Sequence, residues 1–138
     1  ICFLFRLNHM GFPKCLVALL EDTTITKVGL SWHDDLRSLS KRKQFHAGTF
    51  VELQDVAAQI GINDKSLQKL YANLFGEKIS KAQRLSNWEI DNLSEAQKQY
   101  AATDAWACVR LYEEIERMKK EGYELITTKH EENHTTQG

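Results

Sequence analysis

Apolar positions along this chain follow two different periods. The opening ICFLFRL, from Ile1 to Leu7, is apolar on both faces of an extended chain (Ile1, Phe3, Phe5 and Leu7 against Cys2 and Leu4), which predicts a strand buried between two layers. Pro13 suits the start of a helix, and Cys15, Leu16, Leu19 and Leu20 continue it. ITKVGLS, Ile25 to Ser31, predicts a second strand; Asp34 and Asp35 open a helix whose last turn holds Lys41, Arg42 and Lys43; Phe50 to Leu53 predicts a third strand. A helix over Gln54 to Ile60 stops at Gly61, and one from about Ser66, carrying Leu67, Leu70, Tyr71, Leu74 and Phe75, stops at Gly76. Glu77 to Asn92 lacks a period and reads as an ordered loop around Trp88. Ser94 with Gln97 forms a capping box that starts the last helix.

This alternation predicts an α/β layered domain with parallel strands, because each crossover is long enough for one. Residues 1–122 form that domain. After Gly122 the chain turns polar, and 123–138 is expected to be a flexible tail.

In the last helix Tyr100, Ala107, Leu111, Ile115 and Met118 share one face, while Arg110, Glu113, Glu116 and Arg117 share the other. Asp104 falls on the apolar face. A buried carboxylate without a partner is costly, so this one needs an internal ion pair, a backbone amide or a metal. Asp34 and Asp35 lie just past the second strand, where ligands of α/β sheets bind. One of them serves as an N-cap, which leaves the other spare. Tyr100 alone reads as core, but its phenol sits one turn from Asp104. A phenol keeps its proton at neutral pH, so the task that suits it is orienting a metal-bound water.

Composition narrows the classes. With 138 residues and 42% hydrophobic content the chain is long enough for one core, and a formal net charge of −1 gives no global field that attracts nucleic acid. Cys2, Cys15 and Cys108, three in number and each in an apolar or helical run, suit buried thiols of a reducing compartment, which points to the cytoplasm. ICFLFRL is too short to span a bilayer, and no membrane association is expected. His33 beside Asp34 reads as structural or solvent-facing. His130 and His134 have helical metal spacing but lie in the polar stretch, and Trp32, Trp88 and Trp106 read as core.

The run RLSNWEIDNLSEAQKQYAATDAWACVRLYEEI, with Tyr100-Ala-Ala-Thr-Asp104 at its centre, resembles the third motif of the tyrosine-type DEDD 3'-5' exonucleases, the family of RNase D and the Werner syndrome protein exonuclease domain. KVGLSWHDDLRSL resembles the second motif, in which a glycine precedes the active-site aspartate by six positions, here Gly29 and Asp35, and Ser66 to Trp88 is similar to the connecting segment. The resemblance implies an RNase H-like (DnaQ-like exonuclease) fold, a mixed sheet flanked by helices. It also implies hydrolysis of nucleotides from 3' ends of DNA or RNA with two divalent cations, Mg2+ or Mn2+, about 3.5 to 4 Å apart. Asp104 would then be a direct metal ligand, Asp35 would bind the second metal or its water, and Tyr100 would orient the attacking water. Lys81 and Arg84 are candidates for phosphate contacts on single-stranded or 3'-ended substrates.

The family's first motif, a D-x-E pair on the first strand, is absent; Glu89-Ile-Asp91 has the reverse order and lies in a loop. The expectation is a domain truncated at its N-terminal side, inactive alone, and prone to self-association through the exposed edge of Ile1 to Leu7. Two rivals remain: a non-catalytic module on a degenerate exonuclease fold that binds nucleic acid or protein, and an unrelated α/β interaction domain.

Overall fold

A computed structural model describes residues 1–135, with side chains as far as residue 122. The elements in chain order are α1 (Leu7–Met10), α2 (Lys14–Glu21), β1 (Lys27–Gly29), α3 (Trp32–Arg42), β2 (Phe50–Glu52), α4 (Leu53–Gln59), α5 (Leu67–Phe75) and α6 (Glu95–Thr135). β1 and β2 pair in parallel, with Lys27 opposite Phe50, Val28 opposite Val51 and Gly29 opposite Glu52. α3 is the crossover between them, as the α/β reading requires.

Several helix boundaries have a local cause. Ser66 Oγ accepts from the Lys69 amide at 3.1 Å and so starts α5. Gly76, at φ +68°, ends it, its amide donating to Ala72 O at 2.9 Å. α4 stops in the same way at Gly61, φ +82°. α6 opens on the predicted capping box: the Gln97 amide donates to Ser94 Oγ at 3.1 Å, and the Ser94 amide donates to Gln97 Oε1 at 2.9 Å.

The core lies where α6 packs over β1, α4 and α5. Leu53, Ala57, Leu70, Ala107, Leu111 and Ile115 are wholly buried, with Leu67 and Tyr71 nearly so, and Val28 and Leu30 pack on the cluster. Full burial of each large aliphatic side chain is worth roughly 1.5–3 kcal/mol. The face predicted from Ala107, Leu111 and Ile115 is therefore the one that holds the last helix to the sheet.

Two expectations are corrected. Ile1 to Arg6 forms no strand and Leu7 already belongs to α1. An apolar run becomes a buried strand only where a neighbouring strand fills its hydrogen bonds, and among the described residues this run has no ladder partner. Self-association through a strand edge thus loses its strand, although Ile1, Phe3 and Leu4 are exposed. Two of the three thiols, Cys2 and Cys15, are exposed, Cys15 because α2 buries only Leu20, and Cys108 is half-buried. The helix α6 runs as far as Thr135; residues 136–138, and the side chains of His130 and His134, lie outside the described residues. No helix of the described residues is long and apolar enough to cross a membrane.

Candidate active site

The parallel register places Glu52, the last residue of β2, opposite Gly29, where the chain leaves β1. Its carboxylate accepts from the Ser31 amide at 2.9 Å (Oε1) and from the Trp32 amide at 2.8 Å (Oε2). Free amides at the start of α3 are thereby satisfied from another element, and Ser31 is held at φ +63°, a left-handed conformation uncommon outside glycine. Neither Asp34 nor Asp35 is the N-cap. Both lie in the first turn of α3, and the cap position belongs to Ser31, whose side chain makes no capping bond. Gly29 is required for space: a Cβ there would lie 2.5 Å from Trp32 Cε2. The Trp32 ring fills that place and meets Phe50 edge-on at 4.9 Å between centroids.

Asp35 is exposed, yet enough protein surrounds its carboxyl to raise its pKa by burial first, then by the charges of Asp34 and Glu52. His33 is exposed, as expected.

On α6, Tyr100 is half-buried with its ring 6.0 Å from that of Trp88. The loop that presents Trp88 is tied down through its carbonyls. Trp88 Nε1 donates to Gln83 O at 3.0 Å, and the buried Gln97 amide donates through Nε2 to Asn87 O at 3.0 Å and to Ser86 Oγ at 3.1 Å. Arg6 donates to the carbonyls of Asp91, Trp88 and Ile90 at 2.8, 2.9 and 2.7 Å. An ordered loop around Trp88 is what the sequence predicts; its anchors are side chains from far along the chain.

One turn beyond Tyr100, Asp104 Oδ1 is buried and has no hydrogen-bond partner. Burial raises the pKa of this carboxyl. The internal ion pair and the backbone amide therefore both fail to account for that oxygen. Cys108, one turn further, is pushed up to about 11, mainly by burial and then by the charges of Asp104 and Glu52. Glu52 thus lies near enough to Asp35 and to Cys108, the neighbour of Asp104, for its charge to raise the pKa of each. Sequence reasoning missed it, since only the β1–β2 register identifies which residue ends up there.

Among the described residues no group of three or more His, Cys, Asp and Glu side chains is placed to hold a metal ion. The chemistry of the donors nevertheless suits a hard divalent cation, which takes oxygen ligands, and an orphaned carboxylate oxygen is the feature such an ion would satisfy.

Beside Tyr100 a groove of about 500 Å³ opens between α6 and the loop that follows α5, with Lys78, Gln83, Gln99, Tyr100 and Trp106 among its walls. Trp106, predicted as core, is 54% exposed. Lys81 and Arg84 are both exposed, and Lys81 lines a second depression of about 750 Å³ on the other side of the loop. Lys78 lines both.

A family model of 3'-5' exonucleases matches residues 7–120. The mouse bifunctional 3'-5' exonuclease/ATP-dependent helicase WRN is 34% identical over 96% of this chain and 10% of its own length. The solved structure of Brucella melitensis NrnC bound to pGG superposes with a TM-score of 0.69 at 25% identity, over 83% of this chain and 57% of that one. Escherichia coli RNase D, described as an exoribonuclease involved in structured RNA processing, gives 0.64 at 25% identity over 74% of this chain and 28% of its own. The architecture is accordingly the α/β, RNase H-like arrangement of these domains. The chain spans between 10% and 40% of the length of the first curated relatives.

Proposed function

The chain belongs to the 3'-5' exonuclease family, and from that premise we propose that it supplies half of a two-metal phosphodiesterase site that removes nucleotides from nucleic-acid 3' ends. The buried, unpartnered Asp104 Oδ1 one turn from the Tyr100 phenol is the observation that carries this reading. Asp104 would hold one divalent cation, Mg2+ or Mn2+, directly; Asp35 would hold the second or its water. Such a pair of cations supplies charge stabilisation for both the attacking and the leaving oxygen of an in-line displacement. Tyr100 orients the attacking water through its hydroxyl, and the packing of Trp88 on its ring fixes the direction of that bond. Glu52 holds the first turn of α3, and with it Asp35, against the sheet. Lys81 and Arg84 contribute positive charge towards the phosphates.

Two cations close together need several carboxylates, and a D-x-E pair is absent from these residues. The 138-residue chain alone therefore binds the metals weakly and does not hydrolyse. The test is a 3'-labelled oligonucleotide incubated with Mn2+ or Mg2+, using this chain and a longer one that carries a D-x-E strand before Ile1. The expected result is no product from the first and a 3'-shortened ladder from the second, lost in Asp104→Asn. Asp104-dependent cutting by the short chain would overturn the claim of inactivity. A long chain that binds metal and nucleic acid without cutting would overturn the catalytic reading in favour of a non-catalytic module, the alternative that agrees with the lack of a three-ligand cluster among the described residues.

A further inference from the structure

We propose that the groove beside Tyr100 seats the nucleotide next to the one removed, with Trp106 as the platform for its base and Lys78 as the contact for its phosphate. The inference rests on the exonuclease reading and adds to it one residue that holds a base and one that holds a phosphate.

Trp106 lies two residues beyond Asp104 on α6, so it points to the opposite side of the helix from the acids, towards the loop that follows α5. Trp106 is 54% exposed, and its ring is in contact with other side chains. The Arg110 guanidinium lies 5.2 Å from the Trp106 ring, 4.2 Å from Phe75 and 5.6 Å from Tyr71. Arg110 also donates to the Tyr71 hydroxyl and pairs with Glu77 at 3.8 Å. A flat aromatic surface braced on one side and open on the other is what base stacking uses, and it tolerates any base because every base has a π-face.

Charge in the groove is arranged for an anion. Glu77 is the one carboxylate in its lining, and Arg110 offsets it. Lys78 has no ion-pair partner among the described residues and is exposed. Across the same stretch of loop, Lys69 and Lys81 line the second depression together with Lys78. The three ammonium groups gather positive charge around this depression, which suits a phosphate backbone leaving the groove. A space of about 500 Å³ takes a small ligand and not a double helix. Lys78, Tyr100 and Trp106 all line the groove, so a strand that stacks one base on Trp106 shares that space with the phenol. Gln83 and Gln99 line the space with amides that suit the edges of a base.

The experiment is fluorescence anisotropy with the 138-residue chain in EDTA, so that no hydrolysis intervenes, using 5'-fluorescein octathymidylate and a blunt-ended hairpin. The wild type binds the single strand more tightly than the hairpin. Trp106→Leu weakens that binding about five- to hundredfold, the loss that accompanies removal of one base–aromatic stack, and Trp106→Phe retains most of it. Lys78→Ala, at an exposed position, lowers the slope of log K against log salt by about 0.7. An unchanged urea midpoint for Trp106→Leu establishes that the variant is folded. Wild-type affinity in folded Trp106→Leu, an unchanged salt slope in Lys78→Ala, or preference for the hairpin would overturn the proposal. Binding of this kind in a protein whose longer form fails to cut would count against the exonuclease reading alone.

Discussion

Replacing Asp104 by asparagine separates a structural carboxylate from one kept for a cation. The side chain keeps its shape and loses its charge, and the oxygen concerned is buried without a partner. Leaving a buried polar atom unsatisfied costs about 1–3 kcal/mol, and here ionisation is further disfavoured by burial, which raises the pKa. For a carboxyl whose folded pKa is raised, the stability gained by holding its proton is fully present below the unfolded value and is lost as pH rises through the folded one. At pH 7.5 and without metal the wild type therefore carries an ionised group that folding disfavours. Asp104→Asn is expected to be more stable there, by no more than about 1 kcal/mol because solvent screens the exposed part of the carboxyl. At pH 4 the difference shrinks, since the aspartate is then partly protonated. Urea unfolding followed by tryptophan fluorescence, at pH 4 and pH 7.5 in EDTA, measures both. An asparagine variant that is less stable than the wild type at pH 7.5 would show that Asp104 takes part in a stabilising ion pair, and the metal assignment would lose its main support.

Glu52→Ala should destabilise the fold by about 0.5–2 kcal/mol through the lost cap on α3, with faster hydrogen exchange at the Ser31 and Trp32 amides. Glu52→Gln should bring the Asp35 pKa down towards the usual aspartate value, because it removes one of the charges that raises it; carboxyl NMR titration reads this directly. Gly29→Ala places a methyl 2.5 Å from the Trp32 ring and should cost about 1–3 kcal/mol by overpacking, seen as a lower urea midpoint. Gln97→Ala removes half of the capping box and two bonds to the Trp88 loop, so a loss of about 1–3 kcal/mol is expected. A changed Trp88 environment in near-UV circular dichroism should accompany it.

Local signals in the chain were read correctly where one element decides the outcome. The Ser94 and Gln97 box, the stops at Gly61 and Gly76, and the buried face of Ala107, Leu111 and Ile115 all depend on residues within a turn or two of each other. What escaped depends on pairs brought together by the fold. ICFLFRL reads as a strand from its own pattern, but a strand is a property of two chains of backbone. Glu52 looks like any acid at a strand end until the register sets it opposite Gly29. Trp106 has the composition of a core residue, and only the path of the loop after α5 leaves its face uncovered. Asp104 was conspicuous for the opposite reason: a charge within an apolar stripe violates a rule that nearby residues enforce.

The bracket around Trp88 spans the chain. Its carbonyls draw their donors from Arg6, some eighty positions away, and from Gln97 on the far side of the loop. Closing so long a chain segment carries an entropic cost that only an already assembled framework repays. The aim of the tyrosine beside it therefore depends on a side chain from the opposite end of the chain, and shortening the protein by its first six residues should loosen that aim while the buried helix stays seated.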